Sequence, residues 1–114
     1  MAEIIDINPK RKRVLEFDEW KGYEGVPVHT QGALLRYRDR GLMPGGFLTS
    51  VLTNDLFGAI ARADKENSRA LKDICDWVHW RMPSASWGNE EKVEKWVEAG
   101  GVNGMKNPLE TENE

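Results

Sequence analysis

Apolar residues recur along this chain at intervals of three and four, and the capping and breaking residues between the runs divide it into helices. Thr30 is suited to cap "QGALLRYRDR", and Gly41 to end that helix in the left-handed conformation, so the first helix is short. "LMPGG" forms a corner. The second helix is expected from about Gly46 to Ala63, with Leu48, Val51, Leu52, Leu56, Ala59 and Ala63 on one side. Phe47 and Phe57 fall outside that arc, Phe57 almost opposite, which makes this helix apolar over much of its circumference and the central one. Asn67 is expected to cap "SRALKDICDWVHWRM", whose stripe is Leu71, Ile74, Cys75, Val78 and Met82, and Pro83 stops it. Asn89 then caps "EEKVEKWVEA", which Gly100 and Gly101 close.

The flanks carry less pattern. Residues 1–28 hold two apolar clusters, "EIIDI" and "RVLEF", around a basic loop with a proline, and predict an extended arm or a short hairpin. Residues 101–114 are rich in Gly, Asn, Pro and acids, and predict a disordered tail. The body, residues 29–100, is then an all-α domain, a compact bundle of about four helices joined by short loops.

Asp55 interrupts the pattern, because it falls among the apolar residues of the second helix. A lone buried carboxylate costs several kcal/mol, so on this reading it needs a partner. Arg62, Arg36, Arg38, an indole N–H and the free N–H groups of another helix start are the candidates. The expected pair is Asp55 with Arg36, a structural contact fixing how the first two helices cross; a functional site at Asp55 is the alternative.

The third helix poses a second question. Trp80 faces away from its stripe, on the side of Asp73 and Asp76, and Trp77 sits at the stripe's edge. The chain has five tryptophans, a residue over-represented in binding hot spots. Trp77, Trp80 and Trp87, with Asp73 and Asp76, are therefore the candidate partner-binding surface; the alternative is that Trp80 is covered by Trp96 or Trp20.

Composition narrows the chemistry. With 114 residues, 39% hydrophobic and 31% charged, the chain has room for one small core. The net charge is −3, with residues 1–45 carrying 8 Lys/Arg against 7 Asp/Glu and residues 46–114 carrying 8 against 12. An acidic body of this kind disfavours phosphate-neutralising contacts, and only "KRKR" at Lys10 to Arg13 speaks for them. A helix-turn-helix reading also fails to attract, since the second helix would present "GGFLTS" to the bases. No apolar run is long enough for a membrane span or a signal peptide, which predicts a cytoplasmic protein.

Catalytic motifs are not evident. Cys75 is the single cysteine and reads as a packed thiol, and His29 and His79 have no metal-ligand spacing. "MPGGF" lacks the Lys and Ser/Thr of a phosphate loop, and Thr49, Ser50 and Thr53 sit in no nucleophile motif. The residues predict a non-enzymatic protein with no metal and no cofactor.

The words "GAL" then "RY", "PGGFL", "VL" then "NDL" and "RAD", followed by Trp77, "MP" at 82–83, "WG" at 87–88 and Trp96, occur in that order between about residues 26 and 99. In this the chain resembles a family of small uncharacterised proteins encoded by tailed bacteriophages and prophages. The resemblance brings no mechanism. It implies a context, an accessory protein in the host cytoplasm that binds and inhibits or redirects a host or defence protein. A nucleic-acid-binding regulator using Lys10 to Arg13 with Arg36, Arg38 and Arg40 is the alternative, and a small nucleotide- or ligand-binding protein using Gly45-Gly46 is a third. A homodimer burying Phe57 or Trp80 would enlarge the small core.

Overall fold

A computed structural model describes residues 19–106, and the candidate hairpin and the "KRKR" run lie outside them. The described residues form seven α-helices and one 3₁₀ turn, so the all-α expectation holds. They are α1 (Val28–Arg40), α2 (Gly46–Leu52), α3 (Leu56–Arg62), α4 (Lys65–Arg69), α5 (Leu71–Arg81), the turn Ser84–Ser86, α6 (Glu90–Ala99) and α7 (Gly101–Lys106). Two of the four expected helices are each broken in two, and an eighth element appears where a tail was expected.

The first break explains Asp55. After Leu52 the chain turns through Asn54, whose φ of 69° is left-handed, with the Asn54 N–H on the Val51 carbonyl and the Asp55 N–H on the Ser50 carbonyl. This is a Schellman ending with asparagine where glycine is usual. Asp55 is then the N-cap of α3, its carboxylate accepting from the Gly58 N–H at 3.0 Å. It is exposed, and among the described residues no ion pair joins it to Arg36, which is also exposed on α1. The expected Asp55–Arg36 pair is therefore corrected. A carboxylate at a helix start satisfies an orphan N–H while staying in water, so no buried counter-charge is needed.

The second break falls at Ala70. Asp64, not Asn67, caps the helix start, accepting from the Asn67 N–H at 2.7 Å. Asn67 lies inside α4 with its side chain buried and takes the Thr30 hydroxyl at 2.6 Å. Thr30 does not cap either, because α1 begins two residues earlier, after Pro27. The other expected stops hold: Gly41 and Gly100 are left-handed C-caps, Met82 is extended ahead of Pro83, and Asn89 caps α6 by accepting from the Lys92 N–H at 2.8 Å.

Around these elements one core forms. Leu34 and Tyr37 of α1, Leu48 and Leu52 of α2, and Ile74 and Val78 of α5 meet Val93 and Trp96 of α6. Tyr37 is the hub, its hydroxyl donating to the Ser86 carbonyl at 2.6 Å and its own carbonyl accepting from the Trp96 indole at 2.9 Å. The segment before α1 adds Trp20, stacked on Trp77 with ring centroids 4.1 Å apart. In place of the start of a disordered tail, α7 packs on α1 through two glycines. A methyl group on Gly101 would come within 2.6 Å of the Gly41 nitrogen, and both glycines have positive φ.

Candidate functional site

The five residues of the candidate surface separate into distinct environments. Trp80 is 71% exposed on α5, where His79 meets its ring edge-on at 4.5 Å. His79 also reaches Trp87 at 5.6 Å, so an imidazole bridges the two indoles. Trp87 is half-buried against the core, and its buried indole N–H finds no acceptor among the described residues. Asp76 accepts from Lys72 at 2.9 Å one turn before Trp80, and Asp73 is half-buried beside Gly25.

Trp77 leaves this surface. It is fully buried, stacked on Trp20, and its indole N–H donates to the Glu19 carbonyl at 3.1 Å. Trp80 is not covered by Trp96 or Trp20, which are both in the core. The edge of the α5 stripe is thus closed by the segment ahead of α1, a long-range contact that helical periodicity does not encode.

Phe57 is 82% exposed on α3 and flanked by exposed Leu56 and Ile60, so the expectation of a central second helix with Leu56 on its buried side is corrected: the break at Asn54 leaves this half at the surface with Ala59 as its buried residue. Cys75 is corrected from packed to exposed. Its thiol is nonetheless raised above the usual cysteine value, first by partial withdrawal of water from the sulfur and then by the charge of Asp76. A raised thiol keeps its proton at neutral pH and is a poor nucleophile.

A polar cleft of about 380 Å³ lies between α2, α3 and the start of α6, lined by Thr49, Ser50, Thr53, Asp55, Arg62 and Glu90 among others. Its threonine hydroxyls donate to backbone carbonyls, and Ser50 is engaged as an acceptor. Thr53 donates to the Thr49 carbonyl at 2.8 Å, Thr49 to the Pro44 carbonyl at 3.2 Å, and Ser50 accepts from Arg62 at 3.3 Å. No histidine lines the cleft, so no hydroxyl there has an imidazole to take its proton. Among the described residues no group of three or more His, Cys, Asp or Glu is placed to hold a metal ion, and no helix is long and apolar enough to cross a membrane.

The arginines of α1 differ from one another. Arg38 donates to Glu19 at 2.9 Å and to Asp39 at 2.7 Å, and these carboxylates raise its guanidinium further despite partial burial. Arg36 and Arg40 are exposed. Comparison with known proteins finds no matching protein-family profile, no matching curated protein and no matching solved structure.

Proposed function

We propose that this chain is a small phage-type accessory protein that acts by binding a protein, a host or defence component, and inhibiting it without catalysis. The observation that carries the reading is Trp80, a large apolar side chain held out into solvent and braced by His79. Leaving an indole exposed forgoes burial energy, and a braced aromatic loses little conformational freedom when a partner covers it. Asp76 beside it, and exposed Glu90, Glu91, Glu94 and Glu98 on α6, suit a partner with a basic, nucleic-acid-binding groove. The engagement of Arg38 by two carboxylates weighs against direct binding of nucleic acid by α1.

The test starts with capture from a nuclease-treated bacterial lysate, followed by purification of the captured protein and calorimetry. Trp80→Ala is expected to weaken binding by about tenfold or more, with helicity unchanged by circular dichroism. Equal affinity for wild type and Trp80→Ala would sink the reading. Binding to nucleic acid that falls steeply with salt and is lost on neutralising Arg36 and Arg40 would move it to the regulator class.

A further inference from the structure

The described chain ends beside a groove. Ala85 of the 3₁₀ turn, Lys92, Lys95, Trp96 and Ala99 of α6, and Met105 of α7 line a depression of about 330 Å³ whose surface is almost wholly apolar. Trp96 turns its N–H inward to the Tyr37 carbonyl, so it offers the groove ring carbon and no donor. Met105, also a lining residue, is 43% exposed.

Two lysines, Lys92 and Lys95, line this apolar trough. Lys95 pairs with Glu91 at 3.1 Å. Lys92 donates to the Ser84 carbonyl at 3.3 Å and makes no ion pair with a carboxylate among the described residues. An apolar floor beside a cation with no carboxylate partner among the described residues suits an apolar side chain flanked by acids.

That pattern comes next in the sequence, where residues 107–114 read "NPLETENE". We propose that the groove is the docking site of this chain's own segment 107–112, with Leu109 in the trough and Glu110 or Glu112 facing Lys92 and Lys95. The reach is sufficient. Leu109 lies four residues beyond Met105, itself a lining residue, and an extended chain spans roughly 3.3–3.6 Å per residue. Pro108 disfavours helix at Asn107, so α7 is not expected to run on and carry Leu109 away. A tethered segment also competes at an effective concentration on the order of millimolar, at which even a shallow site fills.

The test is nuclear magnetic resonance of the full chain, comparing wild type with Leu109→Asp and Lys92→Glu. Expected for Leu109→Asp are amide shifts at Ala85, Lys95 and Ala99 and at the Trp96 indole, the same at every protein concentration. Lys92→Glu is expected to move the Leu109 amide towards its random-coil position. Changes confined to residues next to position 109 would overturn the proposal. So would groove shifts that grow with concentration, since the segment would then come from a second copy.

Discussion

The hydroxyl of Thr30 donates to the side-chain oxygen of Asn67 across 2.6 Å of buried interior, joining α1 to α4. Both are residue types that favour helix starts, and each has instead been drawn into the core by the other. Thr30→Val keeps the shape and removes the donor, leaving the Asn67 oxygen buried and unpaired. The expected loss is about 1–3 kcal/mol in urea unfolding, at unchanged helical content. A loss near zero would mean that Asn67 is satisfied elsewhere.

The cap of α3 gives a prediction with a sign change. A methyl group on Gly58 would collide with the capping carboxylate of Asp55 and come within 2.7 Å of Arg62 Nη1. Gly58→Ala in the wild-type chain displaces the cap and is expected to gain nothing or to destabilise. In an Asp55→Ala background the cap is already gone, at a cost of about 0.5–2 kcal/mol, and Gly58→Ala should then stabilise by up to about 1 kcal/mol through helix propensity. A double-mutant cycle read by thermal unfolding checks this, and simple additivity would remove the proposed contact.

Alkaline stability should depend on Tyr37. Burial pushes its phenol above the ordinary tyrosine value. The folded chain therefore keeps the proton that the unfolded chain releases above about pH 10, so rising pH favours unfolding. Stability from this group is whole below that pH and is expected to fall above it by up to about 1.4 kcal/mol per pH unit. Urea midpoints from pH 8 to 11.5 measure the slope. Tyr37→Phe should start lower, having lost the bond to the Ser86 carbonyl, and fall less steeply.

Much of the fold was legible because its signals are local. Gly41, Pro83, Asn89 and Gly100 act on their own backbone, and each does what its residue type favours. The failures share a cause in ambiguity or distance. Asn54-Asp55 is a helix ending and a helix start written in adjacent letters, and an apolar wheel drawn through both hides the joint. Asn67 and Trp77 have their roles set by Thr30 and Trp20, far away in the sequence. Of the candidate surface, Trp80 was readable as a residue off the stripe, while the bridging role of His79 needed the loop after α5 to bring Trp87 to it.

The contact between Gly41 and Gly101 is made by main chain alone, at two positions where the backbone is left-handed and a methyl group has no room. Side chains that pack can be exchanged for others of like volume, but this junction admits no such drift. A distant relation of this chain that had replaced every aromatic word in its sequence would still be recognisable by a glycine just after α1 and a glycine pair closing α6.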